Sequence, residues 1–234
     1  MRKILILQLL FIQCIVFAQV PDLRFEQIST IDGLSGNNVK CFYQDKEGFL
    51  WIGTQNGLNR YDGKHFEIFR NNPDNKNSLS GNQVVSVLQD HDGIFWIATK
   101  DGGLTRYDPH ASAPNQFRQF IHNPTDKNSI ATNRLNCLYD YSNDYLLIGA
   151  EEFPGIFLNK KNFSFSYYKY PSKNFSPATA TALPDVRENW IHQVSDGPGN
   201  TMLVGFLYPA RVFSVPKSSG DFNMSVTLKG SGLS

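Results

Sequence analysis

The residues most able to do chemistry are scattered in a pattern that fits none of the common catalytic or metal-binding arrangements. Five histidines (His65, His91, His110, His122 and His192) include no HxxH or HExxH pair. No GxSxG elbow, phosphate-binding loop or GxGxxG turn opening a helix is present. Asp90-His91-Asp92-Gly93 resembles the start of a calcium loop, yet the further acidic ligands and the closing Glu are missing. No motif marks out a pair of carboxylates for acid/base work. The sequence therefore predicts no catalytic residue, no metal and no cofactor. It leaves any ligand-binding residues unassigned.

The elements that would position such residues are set by a repeat. Cys41–Gly63 (CFYQDKEGFLWIGTQNGLNRYDG) recurs as Ser86–Pro109 (SVLQDHDGIFWIATKDGGLTRYDP). The shared frame runs Gln-Asp, Gly48 or Gly93, Trp51-Ile52 or Trp96-Ile97, then Thr54 or Thr99. Gly57-Leu58 or Gly103-Leu104 follows, and Arg60-Tyr61-Asp62 or Arg106-Tyr107-Asp108 completes it. A weaker third unit, Cys137–Asn159, puts Leu147-Ile148-Gly149 in the Trp-Ile-Gly place, and a faint fourth spans Val194–Phe213 with Leu203-Val204-Gly205 there. From Trp51 to Trp96, Leu147 and Leu203 the steps are 45, 51 and 56 residues. The linkers repeat too, Asn72–Val84 against Asn123–Leu135, in the same register.

Each unit reads as four short strands. In the first these are Val39–Gln44, Phe49–Thr54, Leu58–Tyr61 and His65–Arg70, separated by Asp45–Gly48, Asn56-Gly57 and Asp62-Gly63. Four strands in a period of about 40–50 residues is the signature of a β-propeller blade. The expectation is an all-β chain of about four blades, an incomplete propeller, over 19–234, with blades near 31–70, 78–121, 129–168 and 186–228. Trp51 and Trp96 are expected between blades, with a sugar-stacking platform as the alternative. Asp45 and Asp90 are expected to accept hydrogen bonds from turn amides. Cys41 and Cys137 occupy equivalent positions two blades apart, too far for a disulfide, which needs Cα atoms within about 7 Å.

In a propeller, the turns between second and third strands share one face with the crossings to the next blade. Here those are Gln55–Gly57 and Lys100–Gly103, with Asp32–Asn38, Asn71–Asn82 and Asn123–Asn133. Their Asn, Asp and Ser side chains suit sugar hydroxyls and suit ordinary loops equally.

Composition agrees with this frame. The 234 residues are 41% hydrophobic, 13% aromatic and 18% charged, the reverse of a disordered chain. A net charge of +1 gives no field to draw nucleic acid, and none is expected as a partner. Arg2 and Lys3 precede the 15-residue apolar run Ile4–Ala18, below the roughly 20 needed to span a bilayer. With Val16 and Ala18 at −3 and −1, residues 1–18 read as a signal peptide cleaved before Gln19, and no membrane span is expected after it.

Phe25–Phe69 closely resembles the two-component-regulator propeller repeat. The likeness is strong over Phe25–Pro109, fair to about Asn159, and poor from Asn162 to Ser234. It implies a periplasmic sensor segment of a hybrid two-component system that binds an oligosaccharide or polysaccharide-derived ligand. The parent would be a homodimer anchored in the inner membrane, with a histidine kinase, a receiver and a DNA-binding module. Those parts are absent here, so the resemblance implies no enzyme activity for this chain. The alternatives are a stand-alone exported binding or scaffold propeller and, after it, a propeller lyase or glycosidase. Phe25–Ser29 resembles the outer strand of a blade whose inner strands are missing. With the polar tail Lys229–Ser234, that suggests a truncated product with exposed inter-blade faces.

Overall fold

The computed structural model describes residues 25–151, 153–167, 191–197, 199–206 and 211–216. The expected signal peptide, the linker Asn174–Asn189, the tail Lys229–Ser234 and the outer edges of the third and fourth blades lie outside them. Alternating and β-branched residues bounded by Asp-Gly and Asn-Gly turns fold as antiparallel meanders. Blade one is β1 (Val39–Gln44), β2 (Leu50–Thr54), β3 (Gly57–Tyr61) and β4 (Phe66–Phe69). Blade two is β5 (Val84–Gln89), β6 (Phe95–Thr99), β7 (Leu104–Tyr107) and β8 (Phe117–Phe120), and blade three β9 (Leu135–Asp140), β10 (Tyr145–Ala150), β11 (Phe153–Asn159) and β12 (Phe165–Tyr167). In the fourth, β13 (Ile191–Asp196), β14 (Thr201–Phe206) and β15 (Arg211–Pro216) are described. In every sheet the spatial order is the chain order. Thr30–Asp32 forms a single 3-10 turn capped by Ser29. Among the described residues no helix is long and apolar enough to cross a membrane.

The blades stand side by side as in a propeller. Successive first strands β1, β5, β9 and β13 touch one another, which puts them innermost around a common axis. Three apolar clusters fill the three junctions. Trp51, Leu58, Val87, Phe95 and Ile97 occupy the first, Trp96, Leu104, Leu138, Leu146 and Ile148 the second, and Leu147, Phe157, Ile191 and Met202 the third. Close approach has a visible requirement. A Cβ on Gly53 would sit 2.4 Å from Cys41 Sγ and 2.8 Å from Val84 Cγ1, and one on Gly149 2.6 Å from both Cys137 Sγ and the Ile191 carbonyl. In blades one and three glycine at this point of the second strand lets the next blade's first strand lie against it, whereas blade two has Ala98 there, opposite Ser86 instead of a cysteine.

Two expectations change. The second and fourth strands of blade one start one residue later than the sequence pattern suggests, because Phe49 and His65 each supply the carbonyl that closes the preceding Asp turn; the fourth also ends one residue sooner, and the third starts one residue earlier, at Gly57. Phe25–Ser29 forms no strand, and Phe25 is 91% exposed. Among the described residues no strand stands beside it, so the segment has no ladder to join there. Phe42, at the place of the buried Val87 and Leu138, is 65% exposed on the uncovered face of blade one.

Candidate functional site at the channel mouth

Each first strand opens with a bulge. Register slips between Val39 and Cys41, between Val84 and Ser86, between Ile191 and Gln193, and opposite Gly149-Ala150 in β9. The residue left over in blade three is Asn136. Bulges re-aim a side chain at the rim of a sheet, and here the rim is the axial mouth on the loop face. A second device recurs in the same place: the residue after β2, β6 and β10 donates its N–H to the residue that precedes or opens the bulged strand. The bonds are Gln55 to Asn38, Lys100 to Gln83 and Glu151 to Arg134, at 3.2, 2.9 and 2.9 Å. The backbone frame is constant and the side chains it displays are not.

Blade one displays a neutral pair, with Asn38 Nδ2 donating to Gln55 Oε1 at 3.2 Å. Blades two and three display charge. Glu151, its side chain 9% exposed, is held by Lys100 Nζ at 2.5 Å and Arg134 Nε at 2.6 Å. Lys100 Nζ also donates to Asn136 Oδ1 at 2.5 Å, and Asn136 Nδ2 donates to the Ile191 carbonyl at 3.2 Å. Four side chains thus tie blades two, three and four together at the mouth. Arg134 remains 62% exposed, with its terminal guanidinium nitrogens unpartnered among the described residues. A guanidinium so presented can donate to ligand hydroxyl or acidic oxygens. Glu151, clasped by two cations, is committed to holding them.

The loops read from sequence as possible sugar-binding segments do gather on this face, and Lys100 is one of their residues. Many of their polar groups are spent inside the loops. Asn71 Nδ2 donates to the Leu79 carbonyl at 2.6 Å, Asn82 Oδ1 accepts from the Asn71 N–H, and Asn133 Oδ1 accepts from the His122 N–H. Ser78 and Ser129 hydroxyls close matching turns at Asn75 and Asp126. Arg134, Asn136 and Glu151 were not singled out by sequence reasoning. The available signal was comparison of the repeats at Gln55, Lys100 and Glu151, where one frame position changes charge.

Trp51 and Trp96 are buried, which closes the sugar-platform alternative for both. Each indole N–H donates to an aspartate six residues earlier, Trp51 to Asp45 Oδ2 at 2.7 Å and Trp96 to Asp90 Oδ2 at 2.8 Å. The other oxygen of each aspartate accepts two turn amides, those of Glu47 and Phe49, or Asp92 and Ile94. Asp90, His91 and Asp92 bring potential ligand atoms within 4.8 Å of one another. Both Asp90 oxygens already serve the turn and the indole, so Asp90 itself helps to hold the blade together. Cys41 and Cys137 are free thiols, and burial pushes them up to about 11 and about 12.

Residues 33–56 and 78–101 match the family described as two component regulator propeller, in the first and second blades. A 61-residue stretch is 48% identical to Histidine kinase P4 of Formosa agariphila, covering 26% of this chain and 4% of that protein. The fold is similar to the extracellular domain of the hybrid two-component system BT3049 from B. thetaiotaomicron, with a TM-score of 0.65 and 23% identity over 87% of this chain. It is also similar to the extracellular domain of BT4673 from the same organism, with a TM-score of 0.53 and 18% identity over 83% of this chain. The chain spans 26% and 22% of those two chains.

Proposed function

For this chain, which carries two-component regulator propeller repeats, we propose the role of an exported, periplasmic sensor segment of a two-component receptor. Its ligand is an oligosaccharide or polysaccharide-derived fragment, bound without being cleaved. The observation that carries the sensor reading is the 48% identity with a histidine kinase over 61 residues, a likeness of sequence and not merely of fold class. What supports a seat for it at the channel mouth is that Arg134 stands outward there and Lys100, Asn136 and Glu151 join three blades. A molecule bound there would restrain the relative tilt of blades, which a homodimeric parent could pass on to its kinase.

Thermal unfolding of the purified chain against a panel of plant, algal and host oligosaccharides tests this. One class should raise Tm in proportion to the logarithm of its concentration, as binding to the folded state alone requires. Arg134→Ala should weaken that ligand about tenfold, the loss of one charge-assisted hydrogen bond. A panel without any shift, or a shift indifferent to Arg134→Ala, would overturn the proposal or its placement respectively.

A further inference from the structure

Two positions recur at each junction of blades on the loop face. One is the residue that follows a blade's second strand, and the other is the residue left over in the bulge of the next blade's first strand. At the first junction they hold Gln55 and Val85, at the second Lys100 and Asn136, and at the third Glu151 and His192. Of these pairs only the second sets an amine against a carboxamide. It is also the one beside which a nearly buried carboxylate stands, that of Glu151.

Lys100 Nζ lies 2.5 Å from Asn136 Oδ1, and a carbonyl bond is about 1.2 Å long, so Nζ is within about 3.7 Å of Asn136 Cγ. Atoms poised to react stand about 3–3.5 Å apart. The carboxamide is held in one sense, because Nδ2 donates to the Ile191 carbonyl at 3.2 Å and Oδ1 is left to face the lysine. Glu151 Oε1 is 2.5 Å from the same Nζ, while its other oxygen is held by Arg134 Nε at 2.6 Å. A lysine amine turns nucleophilic when an adjacent base takes its proton, and Glu151 stands where that base must be. Nucleophile, acceptor carbon and proton carrier thus meet at one point.

We propose that Lys100 and Asn136 join through a side-chain amide, a covalent staple between blades two and three at the mouth. Glu151 takes a proton from the Lys100 ammonium, and the freed Nζ attacks Asn136 Cγ. The Nζ–Cγ bond forms and the Cγ–Nδ2 bond breaks. Two of the three Lys100 protons end on the departing nitrogen, one of them carried by Glu151, so that nitrogen leaves as ammonium and Glu151 is again a carboxylate. Nothing is oxidised or reduced. The staple links residues 36 apart in the chain. Until it forms, Glu151 holds both cations, so its pair with Lys100 is that of the unjoined chain. Afterwards Glu151 keeps Arg134.

The proposal is independent of the sensing reading, and its test needs no ligand. The full chain is unfolded in urea, digested with trypsin, and its peptides are weighed and fragmented. One branched peptide is expected, linking the segments that hold Lys100 and Asn136, uncut after Lys100 and lighter than the separate pair by one ammonia, about 17 Da. The peptide decides rather than the whole mass, because a chain starting at Gln19 also loses ammonia when that residue closes its own ring. Lys100→Arg, which keeps the cation, and Asn136→Ala should each give separate peptides, and Glu151→Gln should leave the two side chains unjoined. Linear peptides from the parent chain, cut after Lys100, would overturn the proposal. So would an unlinked Asn136 peptide lighter by one ammonia, since Asn136 would then have closed on its own backbone. A branched peptide undiminished in Glu151→Gln would remove Glu151 from the reaction and overturn the mechanism.

Discussion

The first two blades and the third solve one packing problem with different residues. In blades one and two an indole is the second residue of the second strand, opposite Arg60 or Arg106, and donates to Asp45 or Asp90. In blade three Leu147 takes the indole's place, Phe157 the arginine's and Tyr141 the aspartate's. The Tyr141 and Phe157 rings meet edge to face with centroids 5.4 Å apart. Three positions have changed together. What they keep is the filled volume against the next blade, while the side-chain bond to the turn passes to Ser142, whose Oγ accepts from the Tyr145 N–H at 3.2 Å. The frame therefore tolerates either an Asp-Trp-Arg triad or a Tyr-Leu-Phe one. A mixture should be worse than both, since a half-satisfied buried polar group costs more than none.

Asp90 gives the largest expected effect. It serves two amides and an indole, and Lys160, only 6% exposed, stands 3.9 Å from Oδ2 while also bonding Asp140 at 2.7 Å. Asp90→Ala should cost about 3–5 kcal/mol, because it orphans buried donors and leaves a buried cation short of one carboxylate. Asp45 has the same indole and amides without a buried lysine beside it, so Asp45→Ala should cost about 2–3 kcal/mol by the lost hydrogen bonds alone. Urea unfolding of the two variants measures the gap. Equal midpoints would mean that Lys160 adds nothing.

Transplanting the third blade's solution sharpens the comparison directly. Trp51→Leu alone should cost about 2–4 kcal/mol, a large-to-small change in a core whose Phe95 ring lies 4.4 Å from the indole. Adding Asp45→Tyr and Arg60→Phe should recover about 0.5–3 kcal/mol, the range of coupling seen among touching residues. If the triple variant is no better than the sum of its single changes, the covariation between blades is accidental.

This bears on how much the residues alone disclosed. Strand order, turn chemistry and blade period were all readable, since Asp-Gly and Asn-Gly turns and alternating strands are local properties of neighbouring residues. The burial of Trp51 and Trp96 followed from their shared position. The aspartate six residues earlier was read only as a turn residue, although the same carboxylate reaches the indole through its second oxygen. At the mouth, Lys100, Arg134, Asn136 and Glu151 lie far apart in sequence and meet because a bulge and a repeated backbone bond put them there. No short window of sequence contains that geometry.

A smaller effect separates the mouth's charged side from its neutral one. Glu151→Gln should cost about 1 kcal/mol, because its partners Lys100 and Arg134 are 32% and 62% exposed and water already screens them. Stability of the parent protein should fall as salt rises, and that of the variant should be less sensitive. Replacing Asn38 or Gln55 by Ala at the neutral side should leave salt sensitivity unchanged. A Glu151→Gln protein with the parent's full salt dependence would place the responsible charges elsewhere.

The least disruptive comparison uses the two thiols. Burial raises Cys41 from 9.0 to about 11 and Cys137 from 9.0 to about 12, so the folded state favours the protonated form of both. Each contribution to stability is fully present below pH 9, where the unfolded thiol is also protonated. It is lost as pH rises through 9 toward 11 for Cys41 and toward 12 for Cys137. Below pH 9 both should resist iodoacetamide until the chain opens, since the thiolate is the reactive form. Cys41 lies in the blade whose other face exposes Phe42, whereas Cys137 is buried in the junction with blade four. Peptide mass spectrometry over time should therefore find Cys41 alkylated before Cys137. The reverse order would mean that the junction between blades three and four opens more readily than that between one and two. The Tyr-Leu-Phe triad, not the Asp-Trp-Arg one, would then be the weaker way to join two blades.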